Sequence, residues 1–163
     1  PLRFPEGGLQ ARDLREIRRI KARVDSERLP RGADPKTHFK LGPGGLSDIE
    51  WTVQALQMDH ARHVPGMRTP RTLDAIAAAV EAEVLEATDA EDLRHAWLLA
   101  SRLRNATVQV RGRATDQLPH DARQLAAVSA VLGYPPGHTD EMVNDYLRAT
   151  RRARSVVDRV FWE

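Results

Sequence analysis

The sequence predicts an all-α fold, an antiparallel bundle of about six helices, on three observations. Long runs are built from Ala, Leu, Arg and Glu, which lose little on entering a helix. Alternating β-branched segments of strand character are missing. Proline- and glycine-bearing breaks divide the runs at helix-length intervals.

Taken in order, the first helix is expected from about Leu9 to Arg28 and is heavily charged. Leu29-Pro30-Arg31-Gly32-Ala33-Asp34-Pro35 then forbids continuation. The second helix starts after Gly44-Gly45 and runs to about His63, with Ser47 and Glu50 spaced as a capping box. Thr69-Pro70 opens the third, with threonine as N-cap and proline at the first helical position. Thr88 and Glu91 form a second capping box and start a long helix that ends near Arg113. After the Leu118-Pro119 break, a short helix runs from Asp121 to Leu132 and stops at Gly133. Tyr134-Pro135-Pro136-Gly137 is a rigid turn. Thr139 or Asp140 opens the last helix, which continues nearly to Glu163. Short connections imply antiparallel neighbours.

At 163 residues and 41% hydrophobic content, the chain can bury one real core without staples. It has no cysteine, which excludes disulfides and thiolate metal sites. No apolar run approaches the ~18 residues of a membrane span, and no basic-then-apolar signal pattern is present. Net charge is +2 with opposite signs interleaved, and the lysines are Lys21, Lys36 and Lys40 alone. That pattern marks solvated helix faces rather than a nucleic-acid groove. Neither nucleic acid nor membrane is therefore an expected partner. The opening Pro1-Leu2-Arg3-Phe4-Pro5 reads like the middle of a longer polypeptide.

The most unusual stretch is Lys40-Leu41-Gly42-Pro43-Gly44-Gly45-Leu46-Ser47-Asp48-Ile49-Glu50-Trp51. A lysine and three glycines lead into a helix start, where backbone amides and the helix dipole favour an anion. One reading is a phosphate cradle, with substitution of Gly44 or Gly45 harming turnover before stability. The other is a tight loop that needs positive φ, with Asp48 and Glu50 answering the dipole. Along the following helix, Glu50, Gln54 and Gln57 form a polar stripe between two apolar ones, Ile49-Val53-Leu56-His60 and Trp51-Ala55-Met58. The solvated face is then expected to be Asp48, Thr52, Asp59 and Arg62, which turns the polar stripe toward another domain or a cleft.

The long helix has an apolar face of Leu93, Ala96, Trp97, Ala100, Leu103 and Thr107, and Arg104 and Arg111 fall on it. Arginine there must be paired or reach the edge. Pairing of Glu50 with Arg104, near Gln54, is one expectation; Glu50 facing a neighbouring domain is the other. His60 and His63 have the spacing of a metal pair, but no third ligand is evident. Asn105 opens a glycosylation sequon placed in mid-helix, which discounts it. Arg148, Arg151, Arg152, Arg154 and Arg159 make the last helix a solvated or partner-facing surface. Serine hydrolase, P-loop and zinc-protease patterns are absent.

The Lys40–Gln54 stretch resembles the signature of the bacterial glutamine synthetase adenylyltransferase family. Arg15-Glu16-Ile17-Arg18-Arg19-Ile20-Lys21-Ala22-Arg23-Val24, Leu103-Arg104-Asn105-Ala106 and Arg113-Ala114-Thr115-Asp116-Gln117-Leu118-Pro119 are also similar to that family. The resemblance implies two tandem copies of nucleotidyltransferase plus helical domain. One moves AMP from ATP to a tyrosine of glutamine synthetase, and the other removes it by phosphorolysis. Ser47-Asp48 with Trp51 looks more like the adenylylating copy, and Phe161-Trp162-Glu163 like the family's C-terminus. The family's catalytic carboxylates lie on strands behind a Gly-Ser turn, and no such segment occurs here.

The implied organisation is a linker helix over 1–35, following the nucleotidyltransferase core, and a helical bundle over 36–163. By the same resemblance, Lys40, Gly42, Gly44, Gly45, Asp48 and Glu50 face the nucleotide site. Gln54, Arg104, Asn105 and Arg111 support them, and this chain supplies no catalytic residue or metal ligand of its own. Magnesium and ATP are the implied cofactors of the longer enzyme. Glutamine synthetase, the PII signal protein and the upstream nucleotidyltransferase domain are its implied partners, and the cytoplasm its place. The helical domain of a PII uridylyltransferase is a second possibility, against which Ser47-Asp48-Ile49-Glu50-Trp51 argues. A protein-interaction bundle without nucleotide contact is a third.

Overall fold

The computed structural model describes residues 9–163; the Pro1–Pro5 segment lies outside them. Six α-helices follow one another: α1 (Ala11–Arg28), α2 (Leu46–His60), α3 (Thr72–Glu81), α4 (Ala87–Arg111), α5 (Ala122–Val131) and α6 (Thr139–Val157). A π-helical turn, Asp158–Trp162, continues α6. Among the described residues, extended pairing is limited to one bridge, His38 with Gln117. The all-α expectation is met. No helix among the described residues is long and apolar enough to cross a membrane.

The core has two apolar clusters that share α4 and α6. The first half of α4 (Leu93, Ala96) meets the second half of α6 (Ala153, Val156, Val157), together with Ile49 and Val53 of α2 and Ala75, Ile76 and Ala79 of α3. The second half of α4 (Ala100, Leu103, Ala106) meets the first half of α6 (Met142, Tyr146), with Phe39 and Val128. The halves match in reverse order, so α4 and α6 run antiparallel. Alanines on both helices let the backbones approach closely, and Phe39 closes edge-on against Tyr146 at 5.7 Å between ring centroids.

Helix α2 starts directly after Gly44-Gly45 as expected, but three helix caps differ from the sequence expectation. Helix α2 begins at Leu46 with Gly45 as N-cap. Ser47 is therefore already helical, and Asp48, not Glu50, stands at the third helical position. Asp48 reaches back past the N-cap to accept from the Gly44 amide at 2.8 Å, and the Gly45 amide goes to the Gly42 carbonyl, so the Ser47–Glu50 capping box does not form. Helix α3 begins at Thr72 rather than at Thr69-Pro70. Thr69 is spent elsewhere, since its hydroxyl accepts from the Arg71 amide and its carbonyl from Gln57. Helix α4 begins at Ala87, so Thr88 lies inside the first turn and makes no cap. At α5 the expected stop holds, with Gly133 at φ +86° just beyond the helix; Asp121 is its N-cap rather than its first helical residue, the carboxylate accepting from the Gln124 amide at 2.9 Å.

Candidate functional site

The glycine-rich stretch folds into a knot whose amides are turned inward. Leu41 N donates to His38 Nδ1 at 3.0 Å, Gly42 N to the His38 carbonyl and Gly45 N to the Gly42 carbonyl, both at 2.9 Å. Leu46 N and Ser47 N donate to the carbonyls of Phe39 and Lys40. With Gly44 N held by Asp48, no amide from Gly44 to Ser47 is left for an anion, because each already has an acceptor. This overturns the phosphate-cradle reading of the loop.

The glycines have a packing reason instead. Gly44 has φ +68°, and a Cβ there would lie 1.9 Å from the Thr150 carbonyl oxygen of α6. A Cβ on Gly42 would meet the carbonyl oxygens of Pro35 and His38 at 2.3 and 2.5 Å. The loop is pressed onto α6 too closely for any side chain at Gly44, which favours the tight-loop reading of the stretch. Burial pushes the His38 imidazole below its ordinary pKa, against the opposing pull of Asp116. The neutral ring then keeps Nδ1 free to accept from Leu41.

Asp48 organises the site. It is 4% exposed rather than on a solvated face, as is Thr52 at 0%. Its Oδ1 accepts from Lys21 Nζ at 2.5 Å and its Oδ2 from Arg154 Nη1 at 3.1 Å. Lys21 also donates to both Asp25 oxygens at 2.6 Å, and Arg154 pairs with Asp158 at 2.8 Å. The result is a chain of alternating charge, Asp25–Lys21–Asp48–Arg154–Asp158, that joins α1, α2 and α6. Each buried charge has an opposite neighbour on either side, the arrangement that offsets desolvation. Burial opposes the charge of Arg154, yet the Asp158 hydrogen bond and the nearby Asp48 carboxylate together raise its pKa.

Lys21 and Arg154 were missed as site residues in sequence reasoning. Lys21 carried a signal: it replaces an apolar residue in the stripe Leu14, Ile17, Lys21, Val24 on α1, and it is 1% exposed. Arg154 stood among five arginines of the last helix, and nothing in that run singled it out.

The other predicted residues disperse. Arg104 pairs with Asp116 at 2.5 Å, so its expected pairing with Glu50 does not form. The Asp116 carbonyl also accepts from the Phe39 amide, which holds this nearer acid beside Arg104. Glu50 is half-buried and has no ion-pair partner among the described residues. Gln57, expected beside it on an outward stripe, is buried and donates to the carbonyls of Met67 and Thr69. Lys40, Gln54 and Asn105 are exposed, and Arg111 is half-buried. The Lys40 carbonyl sits on the first turn of α2, and Glu50 and Gln54 follow along that helix. Magnesium and a nucleotide do not fit this set: among the described residues no three His, Asp or Glu groups converge, and the loop amides are committed.

The family model described as GlnD PII-uridylyltransferase matches residues 17–163. A bifunctional glutamine synthetase adenylyltransferase/adenylyl-removing enzyme of Streptomyces coelicolor is 56% identical over 162 residues, 99% of this chain and 16% of that protein. Proteins of the same name from Streptomyces avermitilis and Nocardia farcinica are 58% and 57% identical. This chain thus spans about 16% of the length of these relatives. The chain belongs to the family described as GlnD PII-uridylyltransferase, and within it to the sequences that resemble bifunctional glutamine synthetase adenylyltransferases over nearly the whole of these residues.

Proposed function

We propose that this chain is the helical part that follows the nucleotidyltransferase core in the adenylylating half of a glutamine synthetase adenylyltransferase. The observation that carries it is the 56% identity running over 99% of the chain, through both the Gly-rich loop and the bundle. On this reading, residues 1–35 are the linker helix and 36–163 the bundle. The longer cytoplasmic enzyme transfers AMP from ATP to a tyrosine of glutamine synthetase, with magnesium and ATP held by the upstream core. PII signal protein is its regulator.

The chain's own contribution is positional. The Asp48 network and the loop glycines form a rigid buttress, and Lys40, Glu50 and Gln54 are the polar groups it presents. Glu50, half-buried and without an ion-pair partner among the described residues, suits a surface completed by the upstream core, since such a carboxylate is costly unless a neighbour answers it. On this reading Arg104, paired with Asp116, and Asn105 and Arg111 are supporting residues.

Transfer of labelled AMP to glutamine synthetase tests this reading. The 163-residue chain alone should give none, and the longer enzyme should lose transfer when this region is deleted. Lys40→Gln with Glu50→Gln in the longer enzyme should lower kcat while the melting temperature stays within about 2 °C. Labelled glutamine synthetase produced by the chain alone sinks the reading.

A further inference from the structure

Helices α4 and α6 leave a cleft of about 430 Å³ along one side of their contact. Arg94, Leu98 and Arg102 recur every fourth residue on its α4 wall, and Arg148 and Arg152 do so on its α6 wall. Two carboxylates, Asp92 and Asp145, share the lining. Asp145 is already engaged: it accepts from the Tyr134 hydroxyl at 3.0 Å and from Arg148 at 3.4 Å. Arg94, Arg102 and Arg152 have no ion-pair partner among the described residues. Four guanidinium groups against two carboxylates leave an excess of two positive charges facing one small concavity.

We propose that this cleft is a binding site for a small phosphorylated anion, held by Arg94, Arg102 and Arg152. Guanidinium forks match phosphate oxygens bidentately, and a multiply charged anion neutralises more than one fork at once. The volume falls within the range of small-molecule sites, which favours a compact ligand over a protein surface. Leu98, Leu99 and the Tyr134 ring supply an apolar floor on which an organic body can rest. A second, shallower recess shares Leu99, Arg102 and Tyr134 and extends the floor toward Pro135. This site is separate from the Asp48 network and does not depend on the adenylyltransferase reading.

Titration calorimetry of the 163-residue chain with sodium pyrophosphate and with ADP, free of magnesium and at low salt, tests it. Saturable binding is expected with at least one of the two. It should weaken about tenfold or more in Arg102→Gln with Arg152→Gln, as lost charge-assisted hydrogen bonds imply. Arg94→Gln alone should weaken it by a smaller factor, and Arg123→Gln, exposed on α5, should not change it. These arginines are exposed and unpaired, so the melting temperature should hold in every variant. Tighter binding of ADP than of pyrophosphate assigns the floor to an organic body, and equal binding assigns recognition to the phosphates alone; either sustains the proposal. No saturable binding of either probe, unchanged binding in the double variant, or tighter binding of a hexaglutamate peptide than of both overturns it.

Discussion

The α4–α6 pair and helix α1 are fastened by opposite means. Between α4 and α6, alanines, Leu93, Leu103, Met142 and Val156 pack in two clusters along the full contact. Helix α1 has one fully buried residue, and it is a lysine. Beyond Lys21 it is held by Ile17 against the first cluster and by Arg18 Nε donating to the Phe161 carbonyl at 2.5 Å. Ile20 on the same helix stays 45% exposed. Apolar packing distributes its contribution over many small contacts, so each residue there reports on the whole. A charge-anchored helix concentrates its attachment in a few atoms, and it should detach locally when they are changed.

The largest expected effect breaks the bundle side of this contrast. Gly44→Ala forces a Cβ into the Thr150 carbonyl and holds a non-glycine residue at positive φ. Strain and overpacking together should cost about 3–5 kcal/mol, lowering thermal and denaturant stability as one cooperative transition. A melting temperature equal to that of the unaltered chain would mean that the loop lifts off α6 freely. Next, Leu103→Ala, at 0% exposure, should cost about 2–5 kcal/mol. Hydrogen exchange should then accelerate in α4 and α6 alike; loss confined to one helix would deny that the two fold as a unit.

A smaller effect sharpens the α1 side. Lys21→Met removes the anchor while Asp48 keeps Arg154 and the Gly44 amide. We expect a cost of about 2 kcal/mol, below that of stranding a wholly unpaired buried charge. Exchange should rise through Ala11–Arg28 and stay unchanged in α4. Equal acceleration in both would erase the contrast. The smallest effect concerns pH. The folded state holds His38 below its ordinary pKa of 6.5, so the unfolded chain binds a proton first as pH falls. Stability from this residue is present above 6.5 and declines as pH drops from there toward the folded pKa. His38→Asn, which keeps an acceptor for Leu41, should flatten that decline in urea titrations between about pH 7 and 5.

The helices were legible because their signals are local. The apolar face of Leu93, Ala96, Trp97, Ala100, Leu103 and Thr107 acts within a turn or two of itself, and all of it but the half-buried Trp97 is buried as expected. The caps of α2, α3 and α4 were misread, because a threonine or serine three residues before an acid or beside a proline fits a cap in sequence. At α2 and α3, Asp48 and Thr69 are engaged by Gly44 and by Gln57 and Arg71 instead. The Asp48 network was illegible because it joins residues 25, 48 and 158, which only the folded chain brings together. Glycine in a loop before a helix serves an anion or a neighbouring backbone equally well in sequence. The Thr150 carbonyl decided it, and it lies more than a hundred positions away.

The bond from Arg18 to the Phe161 carbonyl spans 143 positions and imposes an order on biosynthesis. Helix α1 leaves the ribosome before any of its fastening partners on α2, α6 or the π-helical turn exists. At about 5–20 residues per second, roughly ten to thirty seconds pass before Phe161 is made. Throughout that interval Leu14 and Ile17 ride on a nascent helix without the α6 end that packs near them in the folded chain. The density of charge along α1, with arginines at 12, 15, 18, 19, 23 and 28, is the composition that suits a segment which must wait in water for its docking place.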